Sequence, residues 1–275
     1  MAGNPYPRDT NKLVTNKVEQ YYNDAKGNKW YRYFAIFCRV ALAVAWGISG
    51  FVKISGERFA AGLSHNHPLG QYFDALLNTG YYYTFIGIGQ VIVAILLLIP
   101  ATALLGALAS FPIAMNICVL AHSVRFEGTR VTTFLLLANL FLLCWHYDRL
   151  KFILPFKQLI PGAEPTNPKH LNGKFPYLFF SGVILTLAAI VFLNNIIYDI
   201  RPGNAPAECW NSCPGNSDPK ACEAFCDCIH NKGKPLRECL EQYEKAKGKN
   251  KSQPVSESKN VHRLTIYGNL PTALN

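Results

Sequence analysis

The sequence predicts an all-α polytopic membrane protein: a four-helix transmembrane core, a fifth crossing, and a small extracytoplasmic disulfide-rich helical domain. Three observations carry that expectation. The chain holds apolar runs about as long as the ~20 residues a helix needs to cross a bilayer. Its 27 lysines and arginines, which give 275 residues a net charge of +10, lie almost wholly outside those runs. Six of its nine cysteines crowd into residues 209–239 of a polar tail.

The longest apolar block covers residues 80–147. It reads GYYYTFIGIGQVIVAILLLI, then PATALLGALASFPIAMNICVLAHS, then, after a charged joint at Arg125, Glu127 and Arg130, VTTFLLLANLFLLCWHY. A soluble core helix would carry a polar face at 3.6-residue spacing, and these segments carry none. Before the block, YRYFAIFCRVALAVAWGISGF makes a first crossing over about 32–51, with a small-residue face at Ala43, Gly47 and Gly50 suited to close packing. It lies behind a hydrophilic segment, so it is expected to act as its own insertion signal. The second crossing covers about 80–99 and the third about 101–121, joined by a tight turn at Ile99-Pro100. Pro112 should kink the third. The fourth spans about 130–147 and the fifth about 176–198.

The parts between follow. Residues 1–31 form a cytoplasmic segment in which KLVTNKVEQYYNDA suits either a surface helix or a solvated tail. The four-helix core covers 32–150, a basic proline-rich loop 151–175, the fifth helix 176–198, a cysteine-rich helical domain 199–247, and an extended tail 248–275. Within the 53–79 joint, KISGERFAAGL and PLGQYFDALLNTG each show short helical periodicity, separated by HNHP.

Basic residues give the orientation. Residues 1–32 hold six and 148–174 five, against two each in 53–79 and 122–130. The basic side is cytoplasmic, which puts the amino terminus inside and the carboxyl domain on the periplasmic side of a bacterial inner membrane. Disulfides persist in that compartment, so the cysteine cluster argues for the same answer.

Cys209/Cys213 and Cys222/Cys226 are spaced i, i+4, so each pair shares a helix face. Asp218-Pro219 marks a helix start and Gly233 a break before a second helix near 236–247. A helical hairpin with three disulfides among Cys209, Cys213, Cys222, Cys226, Cys228 and Cys239 is the economical reading. A zinc cluster using His230 and a thiol-exchange site are the rivals, and fifteen connectivities stay open. Metal is not expected. Cys38, Cys118 and Cys144, alone in apolar runs, read as small hydrophobes. In the tail, Asn250-Lys-Ser252 matches a glycosylation acceptor and VHRLTIYG suits a strand added to a partner.

Polar side chains in hydrocarbon are costly unless paired. Arg39, Lys53, Gln90, Asn116, His122, Asn139, His146 and Asp148 are therefore the candidate site residues. Gln90, Asn116 and Asn139 suit interhelical hydrogen bonding and Lys53 suits snorkelling. Arg39 is expected to meet Asp148 or His146.

The run from about Phe34 to Leu150 resembles the DoxX-like family of small four-helix membrane proteins, which includes membrane subunits of thiosulfate–quinone oxidoreductases. The resemblance is carried by Arg39, Gly47, Gly50, Phe51 and Lys53 in the first helix, Gly87 and Gly89 in the second, and Asp148 after the fourth. It implies a four-helix core and a quinone-linked redox role with quinone as cofactor, near Arg39, His146 and Asp148. The fifth crossing and the cysteine-rich tail have no counterpart in simple family members.

No HExxH, Walker A, GxSxG or dinucleotide fingerprint occurs. The leading expectation is thus an accessory or structural subunit of a respiratory or secretory inner-membrane complex, with no catalytic residue assigned. Its partners would be the bilayer and its structural lipids, other membrane subunits, and an extracytoplasmic partner for the tail. Quinone-linked redox and small-molecule transport are the alternatives. No basic stripe interleaved with aromatics marks a nucleic-acid surface, so no nucleic acid is expected.

Overall fold

A computed structural model describes residues 20–153 and 172–251. The protein is all-α. Helix α1 covers Lys29–Ile54, α2 Pro68–Leu77, α3 Tyr81–Leu98, α4 Ala103–Ser123, α5 Thr129–Trp145, α6 Tyr147–Ile153 and α7 Tyr177–Ile197. The cysteine-rich region contributes α8 (Pro206–Ser212), a 3-10 turn at Cys213–Gly215, α9 (Pro219–His230) and α10 (Leu236–Lys251). Four helices, α1, α3, α4 and α7, are long and apolar enough to cross a membrane. Helix α5, with 17 residues, sits at the short end of the spanning range.

Helices α1, α3, α4 and α5 form the bundle, with α1 packed most extensively on α3, and α4 on α5. The core is built from Ala35, Cys38, Leu42, Ala43, Trp46, Val93, Ala94, Leu97, Ala107, Ala114 and Leu142. A close helix crossing lies between Gly50 and Gly87. A methyl group added at Gly50 would stand 2.6 Å from the Gly87 carbonyl oxygen, and one at Gly87 2.7 Å from that of Gly50. Glycine at both positions lets the two backbones touch, and the contact gains dispersion energy along both helices. Pro112 is accommodated within the continuous helix α4.

Helix α7 stands apart. Of its 21 residues it buries Asn194, while Ile184, Leu185, Phe192, Leu193, Ile196 and Ile197 stay exposed. It is attached near its ends. At the start, Phe179 and Phe180 join an aromatic cluster with Phe34 and Phe141. Toward the finish, the Arg130 guanidinium donates to Asn195 Oδ1 (2.6 Å).

The bundle has two chemically separate ends. At one, Asn28 caps α1 by accepting from the Trp30 N–H (2.9 Å) and donates through its amide to the Lys174 carbonyl (2.8 Å). At that end Tyr22 also reaches Trp145 and Asp148. At the other, the cysteine-rich cap sits on the joints between helices. The Ser64 N–H donates to the Asn204 carbonyl (2.9 Å), Gln71 Nε2 to the Gly233 carbonyl (3.0 Å), and Arg125 to the Ile200 carbonyl (3.0 Å). Arg201 pairs with Glu127 (3.2 Å). The amino-terminal segment and the cap thus occupy opposite ends.

Within the cap, Asp218 caps α9 by accepting from the Ala221 N–H (3.1 Å), behind Pro219 in the first turn. Gly233, at φ +60°, makes the turn into α10. Disulfides join Cys209 to Cys226, Cys213 to Cys222 and Cys228 to Cys239. The first two bind α8 and the 3-10 turn to α9, and the third binds α9 to α10. The i, i+4 pairs lie on facing helical turns and cross-link in antiparallel order. The expected hairpin is therefore three helices, because residues 206–212 also coil.

Two expectations are corrected. The stretch KISGERFAAGL is not a helix beyond Ile54. Gly56 (φ +74°) and Ala60 (φ +56°) turn the chain, and Arg58 donates to the Leu63 carbonyl (2.7 Å) across the loop. The extended tail does not start at 248, since α10 continues to Lys251. The first part of KLVTNKVEQYYNDA, most of the 151–175 loop, and VHRLTIYG lie outside the described residues. So does Ser252 of the glycosylation match.

Candidate functional site

The structure distributes the eight polar candidates over both ends and the interior of the bundle. Arg39 meets neither Asp148 nor His146 among its hydrogen-bond partners. Its Nε donates to the Leu97 carbonyl (2.8 Å) and a terminal nitrogen to that of Leu98 (2.7 Å). The physical reason lies in α3. The last four carbonyls of a helix have no N–H partner within it, and Pro100 brings no N–H to extend the ladder. Hydrocarbon offers no water to replace them. Here the Ile99 N–H serves the Ile95 carbonyl (3.2 Å), Thr102 Oγ1 that of Leu96 (3.0 Å), and the Thr102 N–H that of Ile99 (3.2 Å). Arg39 supplies the two that remain, and its charge suits the negative end of the α3 dipole.

Asp148 is held instead by the amino-terminal segment. The Tyr22 hydroxyl donates to its carboxylate (2.8 Å), and Lys26 stands 3.6 Å away. The Lys26 ammonium also lies 4.5 Å from the centre of the Trp145 ring. Burial pushes the Asp148 carboxyl up, but the Tyr22 hydrogen bond and the Lys26 charge outweigh it and hold the group below its ordinary value. Burial lowers the Lys26 ammonium against the opposing pull of Asp148. His146, half-buried, forms the carboxyl-terminal cap of α5.

At the opposite end, Lys53, Ser49 and Gln90 form one buried chain between α1 and α3. Lys53 is 4% exposed. Its ammonium donates to the Ser49 carbonyl (3.1 Å) and hydroxyl (2.7 Å), and that hydroxyl donates to Gln90 Oε1 (3.2 Å). The third side of the ammonium faces the Phe59 ring, 4.2 Å from its centre. Among the described residues no carboxylate pairs with it. Lys53 therefore does not snorkel: it turns inward toward α3, into the space left by the close Gly50–Gly87 crossing. Gln90 acts as an interhelical tie.

The remaining candidates divide. Asn139 is fully buried, yet both atoms of its amide lack a hydrogen-bond partner among the described residues. Asn116 is exposed on the outer face of α4, so it cannot bridge helices in the bundle. His122 is exposed and donates from Nδ1 to the Cys118 carbonyl one turn back (2.8 Å).

Several groups escaped sequence reasoning. Trp46 donates to Ser110 Oγ (2.7 Å) in the core. Tyr83 donates to the Glu57 carbonyl (2.8 Å) and accepts from the Phe59 N–H (2.9 Å), anchoring the loop beside Lys53. Hydroxyls and indoles in apolar runs read as filler, and only the assembled bundle shows their partners. His67 and His230 were missed as a pair for the same reason.

The sulfurs of Cys213, Cys222 and Cys226 lie within 4.8 Å of one another. That grouping follows from two adjacent disulfides, and a metal would require thiolates there. His230 is engaged elsewhere, with Nε2 directed at the Pro202 carbonyl (2.6 Å).

The chain is 42% identical over 77 residues to the uncharacterized protein YwoB of Bacillus subtilis (strain 168), a match covering 28% of this chain and 49% of that protein. The match thus spans about half the length of that relative. No protein-family model and no solved structure matches the chain. What is shown is a polytopic α-helical membrane protein with four long apolar helices and a disulfide-bonded helical cap.

Proposed function

We propose that the chain is an accessory subunit of a larger inner-membrane assembly, oriented with its amino-terminal end in the cytoplasm and its cap outside. The observation that carries this reading is α7. It is long and apolar enough to span, it is attached to the bundle near its ends, and it buries Asn194 alone among its 21 residues. A helix held in that way leaves most of its length for the helices of another subunit, where small contacts summed over several turns drive association. The interior polar groups mostly serve helix-to-helix ties, as Arg39, Trp46 and Gln90 show.

Purification from native membranes in mild detergent tests the proposal. Stoichiometric partner subunits are expected, and Leu185→Trp in the exposed middle of α7 should release them while the chain itself stays folded. A monodisperse chain recovered alone from native membranes would overturn it.

A second reading rests on Lys53. Among the described residues no carboxylate pairs with this buried ammonium, which is held by Ser49 and the Phe59 ring, and an uncharged carbonyl such as that of a quinone is an acceptor for which it would exchange one of them. The resemblance to membrane subunits of thiosulfate–quinone oxidoreductases supports that reading, with the site moved from Arg39, His146 and Asp148 to Lys53. Quinone retained by the purified wild-type chain and lost in Lys53→Met would favour it.

A further inference from the structure

His67 and His230 face one another between the 55–67 loop and the cap, with ring centres 6.4 Å apart. Both are buried, at 0% and 4% exposure. Their tautomers follow from their partners. The Leu69 N–H donates to His67 Nδ1 (3.0 Å), so a neutral His67 carries its proton on Nε2. The Pro202 carbonyl can only accept, so His230 donates from Nε2 (2.6 Å) and its neutral ring leaves Nδ1 as an acceptor. The two nitrogens left over, His67 Nε2 and His230 Nδ1, are buried without a partner among the described residues. One is a donor and the other an acceptor. A metal held by both is disfavoured, because His67 Nε2 has no lone pair while Nδ1 serves as the cap of α2.

Around this pair the loop meets the cap. Asn66 Nδ2 donates to the His230 carbonyl (2.5 Å) and Gln71 Nε2 to the Gly233 carbonyl (3.0 Å). Phe126, from the α4–α5 connection, and Trp210, from α8, enclose the rings. Among the charged groups on the surrounding elements, Arg125 donates to the Ile200 carbonyl (3.0 Å), Glu208 accepts from the Asn204 N–H (2.9 Å) and Lys234 pairs with Glu238 (2.5 Å), while others form ion pairs with one another. Arg58 and His65 hold Asp74 (2.5 and 2.7 Å), Lys232 holds Asp227 (2.7 Å), and Arg201 holds Glu127 (3.2 Å).

The geometry points to a proton-operated latch: the cap docks on the 55–67 loop over a buried, neutral His67 that packs against the His230 ring, and protonation of His67 releases that docking. A charge on His67 would lie buried against the Phe126 and His230 rings. A proton on His67 Nδ1 would abolish the bond from the Leu69 N–H. Released, the His67 ring reaches water and ionises without penalty.

Burial, reinforced by the neighbouring His230, pushes His67 down to about 4. A histidine depressed on docking stabilises the docked state above its ordinary value of about 6.5, and the contribution is lost as pH falls toward 4. The expected weakening is roughly 100-fold at pH 4 relative to neutral pH.

Hydrogen exchange of the full chain in lipid nanodiscs, corrected for intrinsic rates, tests this between about pH 7.5 and about pH 4. Peptides over 60–69 and 228–234 should lose protection tens-fold or more, while 213–226 stays protected behind its disulfides. His67→Asn keeps an acceptor at the helix cap without a titrating group. It should remove the pH dependence. A wild-type interface whose protection does not change with pH, or a pH dependence that persists in that variant, would overturn the latch.

Discussion

The membrane bundle and the cap reach a fixed structure by opposite means. The bundle binds its helices by backbone contact at Gly50 and Gly87 and by single hydrogen bonds such as Trp46 to Ser110. Nothing covalent joins its helices in the described residues. The cap has few large apolar side chains, chiefly Phe225, Ile229 and Tyr243, and places its cysteines among them. A region so small cannot bury enough apolar surface to offset chain entropy, so three cross-links restrict its unfolded state instead. In the bundle, hydrocarbon already forces every helix to form, and only the choice of neighbour remains. The lesson is that the solvent decides which term needs help.

The largest effect that separates the two regions is reduction. Losing a native disulfide from a small domain costs about 2–5 kcal/mol, and here three would go. Peptides over 206–239 should become exchange-labile in reductant while α1, α3, α4 and α5 keep their protection. A cap unchanged by reduction would show that Phe225, Ile229 and Tyr243 suffice, and the contrast would fail.

Next comes the bundle's own weak point. Gly50→Leu puts a side chain where even a methyl meets the Gly87 carbonyl at 2.6 Å, and overpacking of this kind costs about 1–3 kcal/mol. Gly89→Ala, with nothing within 4 Å of the added methyl, is the control and should be silent. Thermal unfolding in detergent reads both. Equal effects would mean that the crossing is no tighter than the rest of α3.

Those glycines also show how much was legible. The helices were read to within a few residues, because an apolar run of spanning length has no other stable structure in lipid. Asp218-Pro219 and Gly233 gave the bounds of α9 for an equally local reason, a cap and a left-handed turn. Partners were not legible. On charge, Arg39 is expected at Asp148 or His146, whereas the structure gives it the Leu97 and Leu98 carbonyls at the end of α3, and a carbonyl has no letter in the sequence. Lys53 looked like a snorkelling end residue because the space beside Gly87 exists only once α1 and α3 cross. The disulfide pairing, and the meeting of His67 with His230, depend in the same way on where distant segments dock.

Asn139 gives a smaller effect of opposite sign. Its amide is buried with neither atom partnered, which costs about 1–3 kcal/mol relative to a satisfied or apolar group. Asn139→Leu should therefore raise the unfolding temperature of the bundle and leave the cap's exchange untouched. A fall instead would mean that the amide binds a group in the membrane-embedded protein, and α5 would join the candidate site.

The smallest expected effect is the most informative about the bundle's ends. Arg39 forks onto Leu97 and Leu98, and lysine in its place would keep the charge but lose the second donor. The loss should be about 1 kcal/mol, the net worth of one hydrogen bond. It should be visible as faster exchange across residues 96–103 and in little else. Arg39→Leu combines two opposing effects, because it relieves an insertion cost of roughly 2.5–3.5 kcal/mol while orphaning two carbonyls. A double-mutant cycle with Asp148→Asn resolves the assignment. If Arg39 serves α3 and Asp148 serves Tyr22 and Lys26, the two substitutions act at separate contacts and their effects add to within about 0.5 kcal/mol. A coupling well above that would restore the direct Arg39–Asp148 pair and remove the reason given for how α3 ends.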